Sequence, residues 1–425
     1  MPHETFSKKV LGNGLTIITV SRPTSPTGTV LVLVRSGSKY ETKDINGISH
    51  FLEHMCFKGT KKRPRAIDIS GELDALGAHY NAFTSHEYTG YYAKVGSDAL
   101  HDALDVVSDI YLNQIFREGE IERESGVIVE EINMIEDDPK RKIYDNFTAL
   151  LYGDQPAGWD IAGTRDTVRA VRKHNLEAYR KEQYVASATV VVCTGNIDEK
   201  KLLSLIEKKF SSIRSGTKKE KLPVFESQKK PEIAVLRRPT DQSHFMIGVR
   251  TFPIYDKRAI ALRLLSTILG GGMSSRLWQT VRERLGAGYY IASFTDLYTD
   301  HGYLAVSCGA DTKRVREVIG EILAEFRKLT ETPVGKKELA KAKDYLIGTT
   351  AVSLETTDAL ASYYGSQEVL KEKILTPPEF MKAIRKVSAA DVRSLARQIF
   401  RSESLNCALI GPQEKKELIE SMTLS

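Results

Sequence analysis

The stretch Asn46-Gly47-Ile48-Ser49-His50-Phe51-Leu52-Glu53-His54-Met55 carries two histidines four residues apart, with a glutamate directly before the second. Positions i, i+3 and i+4 share one face of a helix. His50 and His54 can therefore direct two imidazoles at one ion, with the Glu53 carboxylate beside them. This is the inverted order of the His-Glu-x-x-His metal signature. A histidine at +4 together with a glutamate at +3 arises by chance in about one of a hundred comparable chains. The bland alternative is an amphipathic helix whose histidines cap or line a core, so the rest of the chain must decide.

Upstream of this helix, residues 15–20 and 29–34 are β-branched runs that read as strands, joined by a turn containing Pro23 and Pro26. Downstream, a helix over 66–76 stops at Gly77, and 78–95 reads as two paired strands. Helices follow at about 97–113 and 119–137. A mostly polar helical region covers about 140–183, with a break between Gly153 and Gly158. Thr189-Val190-Val191-Val192-Cys193 is a strand and 200–210 a helix. The stretch 211–230, rich in Lys, Glu and Ser, reads as an exposed linker.

Beyond it the plan repeats. Arg237-Arg238-Pro239-Thr240 leads into a strand at 244–250, as Ser21-Arg22-Pro23-Thr24 leads into the strand at 29–34. Tyr91-Tyr92-Ala93-Lys94-Val95 and its following helix have a counterpart in the second half, at Tyr303-Leu304-Ala305-Val306-Ser307 and 312–328. Both halves close on a strand, at 190–193 and 407–410. The sequence thus predicts an α+β protein made of two homologous α/β domains: residues 1–212, a linker at 213–230, and residues 231–425. The second copy reads Ala259-Ile260-Ala261-Leu262-Arg263-Leu264-Leu265 where the first has its histidines, so one metal site per chain is expected, in the N-terminal domain.

A chain of 425 residues with 41% hydrophobic and 27% charged residues is long enough for such domains, each with its own core. The net charge of +6 is spread through short or mixed runs such as Lys61-Lys62-Arg63. Nucleic-acid binding asks for a denser basic stripe with interleaved aromatics, and none is expected. No apolar run approaches a membrane span. Met1-Pro2-His3-Glu4-Thr5-Phe6 has neither a signal-peptide core nor an amphipathic basic helix. The expected location is cytoplasmic, or an organellar matrix if a leader has been removed. Cys56, Cys193, Cys308 and Cys407 are far apart and read as buried free thiols.

A catalytic zinc takes three protein ligands and keeps one position open. The third is expected from the helix containing Glu124, Glu130 and Glu131. Glu124 and Glu131 are two helical turns apart and share a face, so one can bind the ion while the other holds a ligand histidine from behind. Glu130 is an alternative ligand, about 100° around the helix from Glu131. His79 and His86, in a strand-like region, are rivals without useful spacing.

These residues resemble the signature of the insulinase/pitrilysin-type zinc metallopeptidases, most closely the short members related to mitochondrial processing peptidase, including its beta subunit and bacterial processing proteases. The family pattern is His-x-x-Glu-His, a spacer of fixed length, then Glu. Here that spacer is the stretch 55–130, which places the family glutamate at Glu131, and Glu124 matches the family's accessory glutamate. Asn81-Ala82-Phe83-Thr84 is similar to the family's Asn-Ala-x-Thr element, and Gly270-Gly271-Gly272-Met273 to its glycine-rich turn. Arg282 and Tyr289 resemble its Arg-x6-Tyr pair, although Ala287-Gly288 replaces the usual Leu-Ala.

The resemblance implies mostly antiparallel sheets covered by helices. It implies Zn²⁺ held by His50, His54 and Glu131, Glu53 as general base, and Glu124 behind a ligand. It implies substrate binding at Asn81 and Ala82 and at Arg282 and Tyr289, the latter pair also steadying the oxyanion. The expected activity is endopeptidase cleavage of extended peptides or unfolded protein segments inside a chamber formed by paired subunits, a homodimer or a heterodimer with a homologous subunit. The competing expectation is a non-catalytic structural or partner subunit of such a complex. A small-molecule hydrolase would have no use for a closing chamber.

Overall fold

The computed structural model describes residues 5–370, 373–419 and 422–424. Residues 1–4, part of the stretch read above for a leader, lie outside them. The chain divides into two compact units.

The first unit is built on a six-stranded sheet. Its strands are β1 (Thr5–Val10), β2 (Thr16–Ser21), β3 (Thr27–Val34), β4 (His79–Thr84), β5 (Thr89–Gly96) and β6 (Thr189–Gly195), in the order β1-β2-β6-β3-β5-β4. Only β2 and β6 pair in parallel; the other neighbours are antiparallel. Residues 30–34 of β3 form an unbroken apolar run because both faces of the strand are covered. Val30, Val32 and Val34 face a core that includes Leu104 and Val107 of the Leu100–Leu112 helix. Leu31 and Leu33 face Leu360, Ala361 and Tyr364 of the Thr357–Leu370 helix.

The second unit repeats the plan with five strands: β7 (Glu232–Arg237), β8 (Gln242–Thr251), β9 (Gly288–Leu297), β10 (Gly302–Asp311) and β11 (Leu405–Gly411). Their order is β7-β11-β8-β10-β9, again with one parallel pair, β7 with β11. Strand for strand this is the order β2-β6-β3-β5-β4 of the first sheet, so the duplication read from the sequence is a duplication of topology. Phe245, Ile247 and Val249 face one core, shared with Leu262, Leu265 and Leu269 of the Ala259–Gly270 helix. The opposite face carries Met246, Ala305 and Ala408, covered by Ile143, Phe147 and Leu151 of the Pro139–Tyr152 helix.

Two segments are therefore exchanged relative to the contiguous division at 1–212, 213–230 and 231–425. The first unit comprises residues 1–133, 160–222 and 352–374; the second comprises 134–159, 223–351 and 375–425. The physical reason is the two-faced strands. Each sheet needs a second helical layer, and each receives it from the other half of the sequence. The stretch 211–230 has no regular structure, and the division falls within it, between Leu222 and Pro223.

Candidate metal centre

The helix Ile48–Met55 is only eight residues long. Ile48, Phe51, Leu52 and Met55 recur at i, i+3, i+4 and i+7 and are all 0% exposed, which turns that face into the core. His50, Glu53 and His54 are left on the opposite side. The helix starts at Gly47, whose φ of +97° is left-handed. A side chain there would meet the Ala162 carbonyl oxygen at 2.5 Å, so the close approach also requires glycine.

His50 Nε2 and His54 Nε2 stand 3.2 Å apart. Glu131 Oε2 lies 3.6 Å from the first and 3.7 Å from the second. Ligand atoms bound tetrahedrally at about 2.0–2.2 Å from a zinc ion stand roughly 3.3–3.6 Å from one another, so the spacing of this trio is close to what such an ion requires. The charge fits as well. Glu53, Glu124 and Glu131 gather around two imidazoles with Lys58 as the adjacent cation, and a dication balances the excess of carboxylates. Among the described residues this is the only group of three or more His, Cys, Asp or Glu side chains with ligand atoms so close together.

Glu124 and Glu131 project from one face of the helix Glu118–Asp137. Glu124, 3% exposed, accepts from His54 Nδ1 at 2.8 Å through Oε1 and from Lys58 Nζ at 2.6 Å through Oε2. Burial acts against its charge, but the hydrogen bonds from His54 and Lys58 hold its carboxyl below the ordinary range. That contact leaves His54 Nε2 to face the ion position. Burial also opposes charge on His54, yet the Glu124 hydrogen bond and the Glu53, Glu124 and Glu131 carboxylates together raise its pKa. His50 has no such carboxylate behind it. Burial and His54 lower its pKa to about 3, which keeps it neutral and able to donate a lone pair.

Glu53 sits beside the trio without being one of its ligand atoms. Thr84, the last residue of β4, donates its hydroxyl to Glu53 Oε2 at 2.6 Å. Burial raises the Glu53 carboxyl above its ordinary value, and the Thr84 hydrogen bond pulls it back.

The remaining expectations fall as follows. Glu130 is exposed on another side of its helix from Glu131. His79 is exposed, and His86 is engaged through Nδ1 with Ser38 at 2.9 Å. Cys56 is fully buried, its thiol pushed up to about 12 by that burial. Asn81 and Ala82 lie on β4, the last strand of its sheet, where the Asn81 side chain accepts from the Ala82 amide at 2.9 Å. Arg282 and Tyr289 belong to the second unit. Arg282 stands in a π-helical turn, Trp278–Arg284, with its guanidinium 4.5 Å from the Trp278 ring centroid. It donates to the Tyr289 carbonyl at 2.6 Å, and the Tyr289 side chain is 56% exposed. Thr84 and Lys58 went unassigned in the sequence. Thr84 ends the Asn-Ala-x-Thr element, which was the available signal.

Comparison with known proteins agrees with the geometry. Residues 16–165 match the family described as Insulinase (Peptidase family M16), and residues 170–346 match the domain described as Peptidase M16 inactive domain. The chain is 34% identical to a protein of Rickettsia felis named uncharacterized zinc protease, over 97% of this chain and 98% of that one. It is 35% identical to the uncharacterized zinc protease YmxG of Bacillus subtilis, over 94% and 97%. In fold it is similar to a protease from Helicobacter pylori, with a TM-score of 0.89 at 21% identity, covering 96% of this chain and all of that one. It is also similar to a chain of complex III2 from Candida albicans, with a TM-score of 0.85 at 18% identity over 98% and 99%. With relatives aligned along almost their full lengths, the chain belongs to the insulinase, or M16, peptidase family.

Proposed function

We propose that the chain is a zinc metalloendopeptidase, with one zinc per chain held by His50, His54 and Glu131. The observation that carries this reading is the convergence of two imidazole nitrogens and one carboxylate oxygen beside a further carboxylate, Glu53. Three protein ligands leave a position for water. A zinc ion there supplies polarisation of a peptide carbonyl and brings the pKa of a bound water toward about 7.

The chain's own groups do the rest. Glu53, tethered to Thr84, takes the proton of the attacking water and hands it to the leaving amine. Glu124 fixes the His54 ring. Arg282 and Tyr289 offer donors to the developing oxyanion, within one chain or from a partner subunit. Asn81 and Ala82 receive the substrate as an added strand along β4, whose outer edge pairs with no strand among the described residues. Recognition through main-chain hydrogen bonds suits extended peptides and unfolded segments. Paired subunits, alike or homologous, would close the chamber around them.

The test is elemental analysis of purified protein after metal is offered back, beside cleavage of an internally quenched peptide. The wild type is expected to hold about one zinc per chain, with loss or sharp weakening in Glu131→Gln. Glu53→Gln is expected to keep zinc and lose turnover by a factor on the order of 10² to 10⁴. A wild type that takes up no zinc would overturn the reading and favour a non-catalytic partner subunit. Retained cleavage in Glu53→Gln would remove the role given to that residue.

A further inference from the structure

The two histidines are held in different ways. The His54 ring is fixed by a side chain, Glu124 at 2.8 Å. Nδ1 of His50 is buried and has no hydrogen-bond partner among the described residues. The position of the His50 ring therefore depends on the main chain that carries it. Gly47 caps the helix, so His50 is its third residue and lies in the first turn, where backbone amides have no intrahelical acceptor and fraying begins.

A helix usually covers those amides with a Ser, Thr, Asp or Asn side chain at the cap position. That solution is closed here. Gly47 has no side chain, and a Cβ at that position would strike the Ala162 carbonyl. The acceptor comes instead from outside the helix. Glu41, 3% exposed, directs Oε2 at the Gly47 amide at 2.7 Å and at Asn46 Nδ2 at 3.0 Å. Its Oε1 accepts from the Ser49 amide at 2.8 Å. A carboxylate at this end of a helix also opposes the positive pole of the helix dipole. Burial pushes the Glu41 carboxyl up to about 7 against the pull of these donors, so keeping it there costs stability.

We infer that Glu41 is a positioning residue for the metal centre: a remote carboxylate cap that holds the first turn of the Ile48–Met55 helix and thereby places His50. The inference rests on the ligand set proposed above. The Ser49 hydroxyl also bonds to the Glu41 carboxylate, and it meets the Tyr179 hydroxyl at 2.7 Å.

The experiment compares the full-length wild type with Glu41→Gln and Glu124→Gln. Zinc affinity is read by competition with a chelating dye, and amide hydrogen exchange of residues 47–51 is followed in the metal-free protein. Glu41→Gln is expected to weaken zinc by about 10- to 100-fold, the usual range for a lost supporting contact. It is also expected to accelerate exchange at 47–51. Glu124→Gln is expected to weaken zinc without accelerating that exchange. Unchanged exchange or unchanged zinc affinity in folded Glu41→Gln would overturn the inference. Failure of this near-isosteric variant to fold would also overturn it, by showing that the carboxylate supports the domain and not one turn. A wild type that binds no zinc would remove the ligand set, and this inference with it, whereas altered exchange alone leaves the ligand set standing.

Discussion

Glu124 Oε1 lies 2.8 Å from His54 Nδ1, and its other oxygen lies 2.6 Å from Lys58. One buried carboxylate thus selects the His54 tautomer and is itself neutralised by a lysine one turn along the chain. Replacing it with Gln leaves a similar shape but removes the charge that orients the ring. Glu124→Gln is expected to weaken zinc binding by about 10- to 100-fold. Glu130→Gln, altering an exposed neighbour on the same helix, is expected to change it little. Titration against a chelating dye checks both, and a tight-binding Glu124→Gln would count against the assignment.

Thr84 sets the proton affinity of the base. Burial raises the Glu53 carboxyl, and the Thr84 hydroxyl lowers it again by donating to the charged form. Thr84→Val removes the donor at nearly constant volume, so the Glu53 pKa should rise further. A general base must be unprotonated to act, so the acid limb of kcat/KM is expected to move to higher pH, with the larger activity loss on the acid side. A pH profile with an unmoved acid limb would show that the hydroxyl has no hold on the base.

Away from the site, Asp105 anchors a cluster of cations. It accepts from Arg63 Nη2 at 2.6 Å and from Lys62 and Lys209, while Arg63 also reaches Glu72 and Asp109. Burial works against the Asp105 charge, but these hydrogen bonds hold its pKa well below the ordinary 3.8. Because the folded pKa lies below the unfolded one, the stabilisation is fully present above about 3.8 and is lost as pH falls below it. Asp105→Asn is expected to lower stability by about 1–3 kcal/mol at neutral pH. Its urea midpoint should converge with that of the wild type at the acid end. Parallel curves across the whole pH range would contradict this.

The elements that organise the site are those whose signal is local. His50, Glu53 and His54 share a helix face by spacing alone, and the apolar residues Ile48, Phe51, Leu52 and Met55 define the opposite face. Glu124 and Glu131 share a face for the same reason, although choosing Glu131 over the exposed Glu130 required the family spacing. What was hidden depends on distance along the chain. Glu41 reads as one acid among many until folding brings it to the amides of Gly47 and Ser49. β1 is masked by Ser7, Lys8 and Lys9, polar residues of an edge strand. The exchanged helices are foreshadowed only indirectly. The uninterrupted apolar run Val30-Leu31-Val32-Leu33-Val34 signals that something must cover both faces, but nothing in it says which segment does so.

That exchange has a consequence for how the protein is made. As the chain leaves the ribosome, the strands of the first sheet are all available once Gly195 has emerged, yet the helix that covers Leu31 and Leu33 ends only at Leu370. A sheet that forms between those two points of synthesis has one oily side bare. A nascent chain in that condition is prone to stick to its neighbours, and holding it apart until the covering helix arrives is work for a chaperone.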